Sequence, residues 1–126
     1  MANKPLINMK TCVVGLGYIG LPTAVTIAQS GQSVIGLEID KDIVDIVNSG
    51  NVHIVETGLE RSVKDSVNSG LLKATTTPEE ADVFVIAVPT PFKDKDYEPD
   101  LSYIESASEK ISTVLRIGEL IYENPF

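Results

Sequence analysis

Apolar residues recur along the chain at two alternating spacings, and each change of spacing predicts a new element. A short β-prone run at residues 11–14 ends at Gly15, and residues 33–39 form a second such run. Between these runs the apolar positions follow helical spacing, at Leu21, Ala24, Val25 and Ala28. This order predicts a strand, a glycine turn, a helix and a second strand.

The alternation continues through the rest of the chain. Apolar stripes predict helices near residues 43–47, 59–67 and 104–115. Apolar runs predict strands at residues 71–76, at 83–88 and from residue 120 onward. The run at 83–88 is apolar throughout, which is typical of a central strand covered on both faces. Strands that alternate with helices predict an α/β fold built on a doubly wound parallel sheet.

Two local signals predict where helices begin. Thr77 can cap a helix that has Pro78 at its first position, which predicts a short helix between the third and fourth strands. The last helix begins either at Asp100 or at a capping box formed by Ser102 and Glu105.

Composition limits the partners and the compartment. The net charge is −8, and the ten Lys and Arg residues are spread along the chain without a basic run. Both features disfavour nucleic acid and an anionic membrane surface as partners. At 126 residues, with no apolar segment as long as a signal peptide or a membrane span, the chain is expected to be one domain of a cytoplasmic protein.

Few residues have the chemistry of a metal ligand or a nucleophile. Cys12 is the only cysteine and His53 the only histidine. Cys12 lies in an apolar run and is interpreted as a buried strand residue, whereas His53 is interpreted as a loop or partly buried structural residue. The acidic residues between positions 94 and 100 lack the glycine and the terminal glutamate of a calcium loop. We therefore predict no catalytic residue and no metal site.

The clearest candidate site is the glycine turn after the first strand. Gly15, Gly17 and Gly20 fit the pattern G-x-G-x-x-G and lie between a predicted strand and a predicted helix. Gly15 permits the tight turn, Gly17 lets a pyrophosphate approach the backbone, and Gly20 lets the helix pack closely on the strand. The N–H groups near Tyr18 and Ile19 would point at the phosphates. The pattern predicts a dinucleotide site.

An acidic residue at the end of the second strand completes this pattern. Glu38 lies 23 positions after Gly15, near the spacing of about 20 found in dinucleotide-binding sheets. Its carboxylate can accept hydrogen bonds from ribose hydroxyls and would repel a 2′-phosphate, which favours NAD over NADP as the cofactor. Lys41 nearby keeps NADP open as an alternative.

Two other nucleotide sites compete for the same glycines. A P-loop requires Lys and Ser or Thr after the last glycine, where this chain has Leu21 and Pro22. A methyltransferase also binds an adenosine ligand above such a sheet, but it does not need a third glycine at position 20. The glycine pattern therefore favours the dinucleotide site of a Rossmann-type domain over a P-loop or a methyltransferase site.

Residues 14–22, Val-Gly-Leu-Gly-Tyr-Ile-Gly-Leu-Pro, resemble the N-terminal domain of the UDP-glucose/GDP-mannose dehydrogenase family. The resemblance extends over nearly the whole chain. Within the family, residues 53–56, 74–78 and 87–93 are most similar to the UDP-N-acetylmannosamine dehydrogenases. The resemblance implies an enzyme that oxidises the C6 alcohol of a UDP-sugar to a carboxylate in two NAD-dependent steps, with the aldehyde-level intermediate held on a cysteine. Its product would be a precursor of cell-surface polysaccharide.

The resemblance also implies which residues contact NAD and which parts are missing. The implied contacts are Tyr18, Ile19, Glu38 and Thr90. Residues 1–126 correspond to the NAD-binding domain, incomplete at the C-terminus and truncated near the fifth strand, without the central helix, the sugar-binding domain and the catalytic cysteine and lysine. We therefore expect the isolated chain to be inactive and the full-length enzyme to be a homodimer. The alternative is a free-standing nucleotide-binding regulatory module without catalysis.

Overall fold

The computed structural model describes residues 9–89, 100–115 and 120–123. In these ranges, strands and helices alternate largely as the apolar pattern predicts. The strands are β1 (Lys10–Val14), β2 (Ser33–Leu37), β3 (Leu72–Thr75), β4 (Val83–Ile86) and β5 (Leu120–Glu123). The helices are α1 (Gly20–Gln29), α2 (Lys41–Asn48), α3 (Leu59–Asn68) and α4 (Ser102–Ser112).

The strands form one parallel sheet in the order β3-β2-β1-β4-β5. β1 pairs with both β2 and β4, so that Val13 lies opposite Gly36 on one side and Val85 on the other. The prediction of a doubly wound α/β sheet is confirmed, with β4 as an interior strand and β1, rather than β4, in the middle. The order of the strands reverses between β1 and β4, and ligands of such sheets bind at this point, beyond the carboxyl ends of the strands.

Helices pack on both faces of the sheet because successive residues of each strand point to opposite sides. On one face Val13 and Val34 pack against α1 and α3, and the predicted stripe of α1 is buried at Leu21, Ala24, Val25 and Ala28. On the other face Cys12 and Phe84 pack against α4. The stripes predicted from helical spacing therefore form much of the core.

The segment between β3 and β4 is not the short helix predicted from Thr77 and Pro78. Residues 76–82 contain no helix, and Ala81 is buried against the sheet. β3 and β4 lie three strand spacings apart, about 14 Å, and the chain must also return along a strand length of about 13 Å. The seven residues would span only about 10 Å as a helix but more than 20 Å when extended. The strand order therefore requires an extended connection.

Asp100 is hydrogen-bonded to Ser102, the first residue of α4. Its Oδ1 accepts hydrogen bonds from the Ser102 backbone N–H at 3.0 Å and from the Ser102 hydroxyl at 2.7 Å. The structure has Leu101, rather than Asp100 or Ser102, at the N-cap position, and among the described residues no side chain caps it. α4 has 11 residues, and within the described ranges no helix is long and apolar enough to cross a membrane.

Candidate functional site

A cleft opens at the carboxyl ends of β1 and β4, where the strand order reverses. Its volume is about 860 Å³, within the range of about 300–1,000 Å³ that small-molecule sites occupy. The walls are the glycine turn after β1, the loop after β2, the residues after β4 and one face of α4. The cleft therefore lies where a doubly wound sheet binds its ligand.

The turn between β1 and α1 needs glycine at two positions. Gly15 has a φ angle of +97°, and its N–H donates to the Leu37 carbonyl at 2.8 Å. A Cβ on Gly15 would lie 2.8 Å from the Ala87 carbonyl oxygen. A Cβ on Gly20 would lie 1.6 Å from the carbonyl oxygen of Gly15, because α1 begins directly against the turn. Larger residues would disrupt the turn at either position.

The first turn of α1 lies at the cleft, and its first backbone N–H groups have no partner within the helix. The Leu21 N–H donates to the Gly17 carbonyl at 3.1 Å, so the N–H groups before residue 21 have no partner within the helix. Among the described residues, no side chain caps this end, whereas Asp40 caps α2 by accepting from the Asp42 N–H at 3.0 Å. Among the described residues, a Cβ on Gly17 would meet no atom within 4 Å. The positive end of the helix dipole and the open space at Gly17 both suit an anionic group.

Glu38 follows β2 directly and lines the cleft beside the turn. Its Oε1 accepts from the Leu16 N–H at 3.0 Å, and its Oε2 accepts from the Asp40 N–H at 3.0 Å. Lys41, the residue that kept NADP open, pairs with Asp45 at 2.8 Å on an exposed face of α2 and does not line the cleft. The negative charge of Glu38 is therefore not neutralised by the neighbouring lysine.

The structure brings most of the predicted contact residues together. Those that line the cleft are Gly15, Gly17, Tyr18, Ile19 and Glu38. Gly20 lies at the first position of α1, against Gly15. Thr90 lies outside the described residues, and the two residues before it, Val88 and Pro89, line the cleft.

α4 supplies a wall that the sequence reasoning missed. Tyr103, Ser106 and Lys110 line the cleft from this helix. Ile39, in the loop after β2, and Ile43, in α2, also line it. The three α4 residues are spaced by three and four positions, so they share one helix face. That spacing is visible in the sequence, but only the packing of α4 shows that this face borders the cleft.

Cys12 and His53 lie outside the cleft. Cys12 is fully buried within β1, and burial, together with the negative charge of Glu79, raises the pKa of its thiol to about 12. A buried neutral thiol is unreactive, which agrees with the structural interpretation of Cys12. His53 is half-buried in the loop between α2 and α3, and both its ring nitrogens are buried without a hydrogen-bond partner among the described residues. In the part of the chain that the structure describes, no three His, Cys, Asp or Glu side chains are grouped to hold a metal ion.

Comparisons with known proteins point to the same family as the glycine motif. The family model described as "UDP-glucose/GDP-mannose dehydrogenase family, NAD binding domain" matches residues 9–124. The chain is 59% identical, over 112 residues, to the UDP-N-acetyl-D-mannosamine dehydrogenase of Campylobacter jejuni, a match that covers 89% of this chain and 28% of that protein. It is 54% identical, over 109 residues, to the NDP-N-acetyl-D-galactosaminuronic acid dehydrogenase of Ralstonia nicotianae, a match that covers 86% of this chain and 26% of the relative.

A solved structure has the same fold over the described elements. The native structure of the UDP-N-acetyl-mannosamine dehydrogenase of Staphylococcus aureus superimposes with a TM-score of 0.89 at 41% identity, covering 92% of this chain and 28% of the other. The chain therefore spans somewhat more than a quarter of the length of these relatives.

Proposed function

The chain belongs to the UDP-glucose/GDP-mannose dehydrogenase family, as its NAD-binding domain, and from this we propose that the parent enzyme is a UDP-N-acetylmannosamine 6-dehydrogenase. It oxidises the C6 alcohol of the sugar to the carboxylate in two NAD-dependent steps, each of which transfers one hydride to NAD, and its product serves cell-surface polysaccharide synthesis. The choice of sugar is supported by the C. jejuni relative and the S. aureus structure, both named for UDP-N-acetylmannosamine. A related UDP-sugar is the alternative, because the R. nicotianae relative is named for a galactosamine derivative.

The observation that carries the cofactor role is the uncapped start of α1 beside the open space at Gly17. In our proposal the N–H groups of Tyr18 and Ile19 bind the pyrophosphate, and Gly17 admits it to the backbone. Glu38 accepts hydrogen bonds from the adenosine ribose, and its negative charge disfavours NADP. Thr90 contacts the cofactor from the segment after β4.

We propose that residues 1–126 act as the cofactor domain and are inactive alone. Tyr18 and Ile39, which line the cleft, are 75% and 72% exposed, so the cleft is open to solvent on this side in the described residues. The buried thiol of Cys12 cannot serve as the catalytic cysteine. Sugar binding, catalysis and homodimer formation then belong to the complete enzyme, and the isolated chain binds NAD weakly.

A titration of NAD and NADP into the ¹⁵N-labelled chain, followed by NMR chemical shifts, tests the cofactor role because this method detects weak binding. We expect saturable shifts around the glycine turn with NAD, weaker binding of NADP, and weaker binding of NAD to Glu38→Ala. Asp42→Ala is the matched control, because Asp42 is an exposed acidic residue that does not line the cleft. The absence of any NAD shift at millimolar concentration would refute the cofactor role, whereas tight binding would favour a free-standing nucleotide-binding module.

The proposed substrate is tested on the complete enzyme that contains this domain. NADH formation is followed with UDP-N-acetylmannosamine, with the galactosamine counterpart and with UDP-glucose. We expect the first sugar to give the highest kcat/KM and two NADH per sugar. One NADH per sugar would contradict oxidation to the carboxylate, and a preference for another sugar would correct the substrate.

A further inference from the structure

The carboxylate of Glu38 links two backbone segments that meet at the cleft. We propose that Glu38 positions the glycine turn for cofactor binding, in addition to its proposed contact with the ribose. The link to NAD rests on the proposed function, whereas the positioning of the turn is a property of the chain itself.

Leu16 is the residue through which Glu38 acts on the turn. The Leu16 N–H donates to Oε1 of Glu38 at 3.0 Å. The Leu16 side chain is fully buried and packs on Gly36 of β2, so closely that a Cβ added to Gly36 would lie 2.7 Å from Leu16 Cδ1. The preceding residue, Gly15, donates its N–H to the Leu37 carbonyl at 2.8 Å. Two successive residues of the turn are thus bonded to the end of β2. Because Leu16 lies between Gly15 and Gly17, fixing it also fixes the peptide that leads to the proposed phosphate site.

The second oxygen of the carboxylate binds the segment that leads into α2. Oε2 of Glu38 accepts from the Asp40 N–H at 3.0 Å, and the Asp40 side chain in turn caps α2. One side chain therefore connects the turn before α1 with the start of α2. Hydrogen bonds from backbone N–H groups to an ionised carboxylate are stronger than those between neutral groups, so this connection is suited to holding the turn in one conformation.

Positioning the turn leaves room for the ribose contact. A carboxylate has about four lone-pair positions, and the two backbone N–H groups use two of them. The remaining positions can accept from ribose hydroxyls. Loss of the carboxylate should therefore weaken cofactor binding in two separable ways, through the ribose and through the shape of the turn.

Amide hydrogen exchange measured by NMR on the chain without added nucleotide tests the positioning role. In Glu38→Ala we expect the Leu16 amide to exchange about tenfold faster or more, because a hydrogen bond to a charged acceptor is lost. Glu38→Gln keeps one carbonyl acceptor and should restore much of the protection. Asp42→Ala removes a nearby negative charge without touching the turn, and it should leave the exchange of Leu16 unchanged.

A second measurement separates positioning from the ribose contact. It compares the binding of an NAD analogue whose adenosine ribose lacks both hydroxyls to the wild-type chain and to the Glu38 variants. If Glu38 acted only on the ribose, Glu38→Ala would bind this analogue as well as wild type does, or better, because a negative charge near the phosphates is gone. Positioning predicts binding to Glu38→Ala that is about tenfold weaker or more, with partial rescue in Glu38→Gln.

The outcomes distinguish this inference from the proposed function. Unchanged Leu16 exchange in Glu38→Ala, or unchanged affinity of that variant for the analogue, would overturn the positioning role. Faster Leu16 exchange in Glu38→Ala, combined with no NAD binding by the wild-type chain, would support positioning of the turn and refute the cofactor role.

Discussion

Substituting Gly17 by alanine separates the folding of the glycine turn from its use as a phosphate site. A Cβ at this position meets no atom of the described residues within 4 Å, and Gly17 has no positive φ. Alanine is therefore compatible with the local backbone, and such Gly→Ala changes leave stability unchanged or raise it by about 0.4–1 kcal/mol. The same methyl group projects into the open space beside the uncapped start of α1, where we propose that the pyrophosphate binds.

The expected loss of NAD affinity follows from that placement. Adding a methyl group to a filled contact costs about 1–3 kcal/mol, which corresponds to roughly 5- to 150-fold weaker binding. Gly20→Ala provides the contrasting variant, because its Cβ would lie 1.6 Å from the Gly15 carbonyl oxygen. That contact cannot be accommodated without moving the backbone of the turn, so Gly20→Ala should lose about 3 kcal/mol or more of folding stability.

Urea unfolding followed by circular dichroism gives the stability of both variants, and NMR titration gives their NAD affinity. We expect Gly17→Ala to be at least as stable as wild type and to bind NAD about fivefold more weakly or worse. Wild-type NAD affinity in Gly17→Ala would refute the assignment of the phosphate site to this turn. Destabilisation of Gly17→Ala to the level of Gly20→Ala would refute the inference that the space at residue 17 is open.

Three further predictions concern stability and reactivity. Asn48 donates to the Ala74 carbonyl at 2.9 Å and accepts from its N–H at 2.8 Å, so Asn48→Ala should lower the free energy of unfolding in urea titrations by about 1–3 kcal/mol, and a loss below about 0.5 kcal/mol would contradict this. Cys12 should react with thiol reagents at pH 8 only as fast as the chain unfolds, and labelling faster than unfolding would count against the buried thiol. Because folding raises its pKa from 9.0 to about 12, the contribution of Cys12 to stability is complete below pH 9 and is lost as the pH rises towards 12. Lys41→Ala removes an exposed pair with Asp45 and should change stability by less than about 0.5 kcal/mol, whereas a larger loss would show that the pair is not solvent-screened.

Local sequence patterns predicted most of the helices and strands, and the position of the glycine turn. The stripe of α1 is buried as its helical spacing requires, and the glycine pattern lies between β1 and α1 with Glu38 directly after β2. These features depend on residues close together in the chain, through side-chain periodicity and the conformations open to glycine. The family resemblance drawn from residues 14–22 is confirmed by the match over residues 9–124.

Local patterns failed where the position of distant elements decides the outcome. Thr77 and Pro78 have the local chemistry of a helix start, but β3 and β4 lie too far apart for seven residues in a helix to connect them. The sequence pattern does not distinguish the polar face of α4, with Tyr103 and Lys110, from an ordinary solvent-exposed helix face. Only the packing of α4 against the sheet makes this face a wall of the cleft.

The sequence by itself thus determined the α/β class, the glycine turn and the acidic residue that accompanies it, because each follows from the spacing of particular residues along the chain. The tertiary structure alone decided the strand order, the extended connection to β4, the second wall of the cleft and the bond from Leu16 to Glu38. The physical reason is that hydrogen bonds and contacts between residues far apart in the chain depend on how the crossovers arrange the strands. Helical or strand periodicity is the same for any such arrangement and therefore does not predict it.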